Sequence, residues 1–300
     1  MELKKLDVLI DMAKAKATKR RLVVAAAADE PVLEAVANAK KEGIIEPILV
    51  GDKTEIEKIA AGVGFNLKGV EIIHEPDAYK ASVKAVQVIR EGKADIMMKG
   101  LVATGPMLKA VLDKENGLRK GALISHVAFF ESPYYHKLIC VTDAAMNVAP
   151  EFEEKVSIVT NAVDAFHKLG YKNPKVAVVA AVEVVNPKME ATVHAAMLTQ
   201  MNRRKQIRGC IIDGPFGLDN AVSKEAAEHK GIVSEVAGDA DLLVCSDINM
   251  GNVLYKSLSF IGGALCAAVL MGASVPIVLT SRADSDRSKM LSIALAAAMD

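Results

Sequence analysis

RLVVAAAADEPVLEAVANAKKEGIIEPILVGD, residues 21–52, holds a complete strand, helix and strand in sequence. The run 21–28 is too short and too evenly apolar for an amphipathic helix, so it predicts a strand buried on both faces. Pro31 follows Asp29 and Glu30 where its fixed φ suits a first helical turn, and VLEAVANAKKEGI keeps helical spacing as far as Gly43. EPILVGD then predicts a second strand, closed by Gly51. Such a unit implies parallel pairing with helices covering the sheet.

The alternation continues outward, with helices near 53–62 and 77–92 and strands at 70–74 and 94–100. From about residue 121 the texture changes. ALISHVAFFES and HKLICVTDAA, separated by SPYYH, predict a hairpin. A long helix follows Pro150 to about His167, and KVAVVAAV, GCIIDG and DLLVCSD alternate with helices in a second α/β block. No repeat recurs at a 20 to 50 residue period, which excludes solenoids and propellers. No Ser/Gly/Pro-rich linker divides the blocks, so two α/β domains with largely parallel sheets, a broad interface and a cleft between them are expected.

Composition narrows the function classes. The 300 residues are 51% hydrophobic and 25% charged, ordinary for a globular chain, and 37 Lys plus Arg balance 37 Asp plus Glu. A chain with no net field has no global attraction for nucleic acid or an anionic membrane. Aromatic residues are 4% with no Trp, which disfavours a base-stacking platform. Cys140, Cys210, Cys245 and Cys266 sit singly in apolar runs without metal-ligand spacing, which predicts buried, reduced thiols and a cytoplasmic setting. The N-terminal 21 residues alternate charge with apolar positions and do not spell an export signal. Ser257 to Ser281 carries no charge and is long enough for a membrane span, but Gly262, Gly263, Gly272 and Pro276 interrupt it, so a buried helix, a turn and a buried strand IVLT are expected.

In a parallel sheet, ligand groups gather beyond the strand C-terminal ends. Five such loops stand out. Lys99 and Gly100 lead to Thr104, Gly105 and Pro106 ahead of a helix carrying Lys109, an arrangement suited to an anion. It is not a nucleotide P-loop, because Pro106 stands where that motif needs Lys. VTDAAMN delivers Asp143 and Asn147, and a third strand ends in Asp213-Gly214-Pro215-Phe216-Gly217; both read equally as plain turns. SDINMGNVLYKS places Asn249, Gly251 and Asn252 ahead of a helix whose first turns would hold Tyr255 and Lys256, a lysine opposed by the helix dipole unless an anion binds there. The strand IVLT ends in Ser281-Arg282 and then Asp284, Ser285 and Asp286, with a guanidinium fork suited to phosphate and Ser or Asp suited to capping. Arg203, Arg204, Lys205 and Arg208 read as a solvated helix end, and the six His show no ligand spacing.

Several of these segments together resemble the phosphate acetyltransferase and phosphate butyryltransferase family: GNVLYKSLSFIGGALCAAVLMGASVPIVLTSRADS, DGPFGLDNAVS, KGLVATGPMLKAVL, VTDAAMNVAP and EGIIEPILVGD. The likeness covers nearly the entire chain and is most specific in Gly-Asn-x-x-Tyr-Lys and the strand ending in Ser-Arg. The Ser-Arg-Ala-Asp-Ser wording looks more like the butyryl than the acetyl branch. The resemblance implies an isocitrate/isopropylmalate dehydrogenase-like fold, with residues 1–146 plus 270–300 as the first domain and 147–269 as the second. It also implies reversible transfer of a short acyl group between coenzyme A and inorganic phosphate, with no metal or redox cofactor, in a homo-oligomer.

By motif, Ser281 and Arg282 take the thioester carbonyl and phosphate, and Lys109 matches a position that is Arg in the acetyl branch. Thr104, Asn252, Tyr255 and Lys256 fall in matching substrate segments. The acetyl branch carries an acid six or seven places after the motif serine, where this chain has Arg287 and Ser288. Asp284 is the expected base, with Asp286 or nearby cations as alternatives. The competing readings are an acetyl-specific enzyme and a non-catalytic acyl-CoA sensor. An oxidative decarboxylase would need an Asp metal cluster and a nicotinamide site that the sequence does not display.

Overall fold

The computed structural model describes residues 2–121, 123–280 and 284–299. Its first third runs α1 (Val8–Lys14), β1 (Arg20–Ala25), α2 (Glu30–Lys41), β2 (Ile45–Gly51), α3 (Lys53–Gly62), β3 (Glu71–His74), α4 (Ala78–Arg90), β4 (Ile96–Lys99) and α5 (Thr104–Val111). The causes are local. Pro31 sits in the first turn of α2, and Val32, Leu33, Val36 and Ala39 fall on its buried face. Each such Val or Leu contributes roughly 1.5–3 kcal/mol on burial. Asp52 caps α3 and Asp77 caps α4 through their carboxylates. In β1, Leu22, Val23, Val24 and Ala25 are fully buried, as a strand covered on both faces requires.

The middle of the chain forms β5 (Ser125–Glu131), β6 (Ile139–Thr142), α6 (Phe152–Lys168), β7 (Lys175–Val179), α7 (Glu190–Arg203), β8 (Ile211–Phe216), α8 (Leu218–Val222), α9 (Lys224–His229), β9 (Leu242–Val244) and α10 (Ile248–Lys256), which runs into a π-helical turn at Ser257–Ile261. The chain closes with β10 (Leu265–Met271), β11 (Ile277–Val278) and α11 (Asp286–Ala298).

Packing divides the described residues into two compact units, 7–121 with 267–299 and 2–6 with 123–266. In the first, the strand order is β3-β2-β1-β4-β11-β10. The pairs from β3 to β11 are parallel, with Ala25 beside both Val50 and Lys99 and Val278 beside Met98, while β10 runs antiparallel to β11. Successive strands step one way from β1 to β3 and then return to its other side as β4, so the order reverses between β1 and β4. Helix α11 packs on α1 and α2, and Leu291 through Ala298 are all buried, which makes it a core helix with no solvated stripe.

The second unit has the order β5-β6-β9-β7-β8. The expected hairpin is there, antiparallel with Phe129 opposite Cys140, and the remaining pairs are parallel. Residues 123–146, grouped by the sequence reading with the first domain, pack in this unit because β6 pairs with β9, Val141 beside Leu243.

One expected element differs. The uncharged run from Ser257 is a π-helical turn followed by the strand β10, where a helix was expected. Cys266 to Met271 are buried throughout. A segment apolar on every side shows neither a period of 3.6 nor of 2, so pattern alone cannot separate helix from strand there. Among the described residues no helix is long and apolar enough to cross a membrane.

Candidate functional site

In the first unit, a cavity of about 160 Å³ opens where the strand order reverses, lined by Asp29, Lys99, Gly100, Thr280 and Lys289 among others. This is the crevice that open parallel sheets use for ligands. A Cβ on Gly100 would lie 2.2 Å from the Ala26 carbonyl oxygen, so only glycine lets β4 turn out against the end of β1. The Lys99 ammonium donates to the carbonyls of Gly100 at 3.2 Å and Val102 at 3.0 Å, bracing that turn. Lys289 is only 4% exposed; its ammonium donates to the Asp284 carbonyl and lies 3.6 Å from the Asp286 carboxylate.

Ser281 and Arg282 follow Thr280 in the chain and lie outside the described residues. Asp284 is half-buried, with its carbonyl held by Lys289. Ser285 is the cap of α11, accepting from the Ser288 amide at 3.1 Å, and Asp286 is the first helical residue. Arg287, where the acetyl branch places an acid, pairs with the Asp7 carboxylate. Thr104 opens α5, while Lys109 is exposed in its last turn with its ammonium 5.6 Å from the Tyr79 ring centre. Neither lines the cavity. Asp29 and Lys289 were not singled out as site residues from sequence. The available signal for Asp29 was its place just beyond a buried strand; Lys289, on a helix buried from Leu291 to Ala298, gave none.

In the second unit, α10 begins at Asp247, whose carboxylate accepts from the amides of Asn249 at 2.9 Å and Met250 at 3.1 Å. Tyr255 and Lys256 therefore occupy the last turn rather than the first. There a lysine complements the helix dipole, so the expected electrostatic conflict does not exist. Gly251 is demanded by packing, since a Cβ would lie 2.1 Å from the Asp143 carbonyl oxygen. Asn252 donates to the Ala144 carbonyl at 3.2 Å. The Tyr255 ring packs edge-on against His126 and Phe130, and the Cys266 thiol reaches its hydroxyl at 3.5 Å. Lys256 is exposed.

Asp143, 3% exposed, accepts from the amides of Ala145, Met146 and Asn147 and from the Asn147 side chain. All its acceptor capacity thus goes into the turn, which supports the plain structural reading of that loop. One face of α10, with Met250, Val253 and Leu254, borders an apolar hollow of about 510 Å³ shared with Val179 and Leu218. Arg203, Arg204, Lys205 and Arg208 are exposed, as expected of a solvated helix end.

All four cysteines are buried and none is in a disulfide. Burial pushes the Cys210 thiol up to about 11 and the Cys245 thiol up to about 12, and raises Cys140 well above its ordinary value. Protonated, buried thiols are poor nucleophiles.

The sequence and the fold have clear counterparts among known proteins. The family described as "Phosphate acetyl/butaryl transferase" matches residues 9–82 and 74–297. A phosphate butyryltransferase of Clostridium acetobutylicum is 51% identical over 295 residues, 98% of each chain. A phosphate acetyltransferase of Thermotoga maritima is 45% identical over 292 residues, 97% of this chain and 98% of that one. Among solved structures, a branched-chain phosphotransacylase from Enterococcus faecalis is 34% identical with a TM-score of 0.81, covering 92% of this chain and 97% of that one. Likeness of this extent defines the class, an α/β acyltransferase. The chain belongs to the phosphate acetyl/butyryl transferase family.

Proposed function

We propose that this protein moves a butyryl or similar short acyl group reversibly between coenzyme A and inorganic phosphate, through a ternary complex and without a metal or redox cofactor. The observation that carries the reading is the 51% identity to a phosphate butyryltransferase across 98% of both chains. In the direction that makes acyl-CoA, the thiol loses its proton, the sulfur attacks the acyl carbonyl carbon, and the tetrahedral oxyanion collapses as the bond to phosphate breaks. A thiol of pKa about 8.5 is only a few per cent ionised at pH 7, so a base accelerates the attack.

Ser281 and Arg282 are assigned to the carbonyl and the phosphate, where a hydroxyl and a guanidinium fork act on charge that develops in the transition state. Thr104, Lys109, Asn252, Tyr255 and Lys256 are assigned to substrate contact. Lys256 and Lys109, both exposed, offer point charges to phosphate groups. The buried thiols favour direct transfer over a cysteine-bound acyl intermediate. Cytoplasmic residence and a homo-oligomeric state belong to the same proposal, and sedimentation tests the latter.

The test is a series from acetyl-CoA to valeryl-CoA with phosphate, following released thiol. The expected kcat/KM peaks at butyryl and exceeds acetyl by about 10-fold or more, since each methylene fitted to an apolar pocket is worth roughly 1–3 kcal/mol. A peak at acetyl would make the protein the acetyl enzyme. Binding without turnover for every thioester would make it a sensor. Arg282→Ala should lower kcat by about 100- to 1,000-fold with the fold intact.

A further inference from the structure

Asp29 ends the segment that follows β1 and stands at the N-cap of α2, with φ −142° and ψ 122°. An aspartate there ordinarily accepts from the second or third amide of its helix. This one accepts no capping hydrogen bond. Its half-buried carboxylate has no hydrogen-bond or ion-pair partner among the described residues and lines the cavity at the β1/β4 reversal. The two ammonium groups on the same cavity wall are engaged elsewhere: Lys99 with the carbonyls of Gly100 and Val102, Lys289 with the carbonyl of Asp284 and the carboxylate of Asp286. Thr280, also on that wall, is the residue before Ser281. An uncommitted carboxylate thus faces a cavity in which cations are already anchored.

We infer that Asp29 is the general base that accepts the thiol proton of coenzyme A, an assignment that rests on the acyltransferase reading above. On α11 the Asp286 carboxylate lies beside the Lys289 ammonium and Arg287 is tied to Asp7, which leaves Asp29 as the uncommitted carboxylate on the cavity wall. As the carbon–sulfur bond forms, the S–H proton passes to an Asp29 carboxylate oxygen. The oxyanion then collapses, the carbon–oxygen bond to phosphate breaks with its electron pair on the phosphate, and Asp29 returns the proton to phosphate or water. Lys99 and Lys289 on the same wall favour the negative charge gathering on sulfur and phosphate.

The experiment compares wild type with Asp29→Asn, Asp284→Asn and Asp286→Asn in the butyryl phosphate plus coenzyme A direction from pH 6 to 9.5. Asp29→Asn should lose about 100-fold in kcat at pH 7, in the range of general-base effects, with the KM for butyryl phosphate changed less than about 2-fold. Its deficit should shrink below about 10-fold near pH 9.5, because the free thiol ionises by itself above about pH 8.5. A merely structural role would leave the deficit constant with pH. Asp29→Glu keeps a carboxylate and should retain more activity than Asn at pH 7, which serves should the Asn variant fold poorly. A pH-independent deficit, near-normal turnover of Asp29→Asn, or the same pH signature in Asp284→Asn alone would overturn the assignment. Inactive wild type with every short acyl phosphate would overturn the underlying acyltransferase reading as well.

Discussion

The ammonium of Lys289, buried on α11, donates to the backbone carbonyl of Asp284, two residues beyond Arg282 in the chain. A charge on α11 thus holds the backbone just ahead of that helix. A buried lysine is retained only when its donors are met, and here a carbonyl and the Asp286 carboxylate meet them.

Lys289→Met should therefore lower both stability and turnover. Losing the hydrogen bond from a charged donor to the Asp284 carbonyl costs up to about 3 kcal/mol, less where water reaches the half-buried Asp284. We expect thermal unfolding to drop accordingly and kcat to fall at least about 10-fold, with partial recovery in Lys289→Arg. Unchanged kcat in Lys289→Met would separate this helix from the reaction.

Gly251→Ala tests the close approach of α10 to the turn after β6. The new methyl would sit 2.1 Å from the Asp143 carbonyl oxygen, so backbone must shift. Overpacking of this kind costs about 1–3 kcal/mol, occasionally more. Urea titration should show a midpoint lowered by that amount, and a midpoint equal to wild type would mean that the helix moves aside freely.

Acid stability should depend on Asp239. Burial alone would raise its carboxyl, but hydrogen bonds from Lys175, His136 and Lys137 outweigh burial and hold it well below the usual carboxylate range. A depressed native value stabilises the fold above about pH 4, the ordinary aspartate value, and the contribution is lost as pH falls from there through the native value. Lys137 is buried, so Asp239→Asn leaves its charge partly uncompensated, retaining Asp241 at 2.7 Å. We expect a loss of about 2–3 kcal/mol at pH 7, below the cost of breaking a fully buried pair because Asp239 keeps some exposure. The gap to wild type should narrow below pH 4; a gap of constant size down to pH 2.5 would contradict the sign.

The four thiols should be silent in the native protein. Burial holds Cys140, Cys210 and Cys245 protonated at neutral pH. An aromatic disulfide reagent at pH 8 should label them about 100-fold more slowly than in urea, without loss of turnover before unfolding. Rapid native labelling that abolishes activity would implicate a thiol in the reaction.

The strand and helix sequence of the first unit was legible in residues 21–100 because its helices keep helical spacing, its strands are apolar runs too short for helices, and Pro, Gly or a capping Asp punctuates them. β1, α2, β2 and α3 fall where the pattern puts them within a few residues. Family membership was legible in short segments such as Ser281-Arg282 and Gly251-Asn252, and at Gly251 the close approach of the Asp143 carbonyl shows a physical limit on the choice of residue.

Where every side is buried, pattern carries no period, and only pairing with β11 settled that Leu265–Met271 is a strand. The start of α10 was decided by the Asp247 carboxylate, and with it the place of Lys256 at the favourable end of the helix dipole. The sequence by itself determined the alternating elements, the small apolar strands and the wording of the loops. Tertiary structure alone decided that Asp29, Lys99, Thr280 and Lys289, as much as 260 residues apart, share one cavity. The reason is that parallel pairing of β1, β4 and β11 brings their C-terminal ends together, a relation between strands that no local run of residues can express.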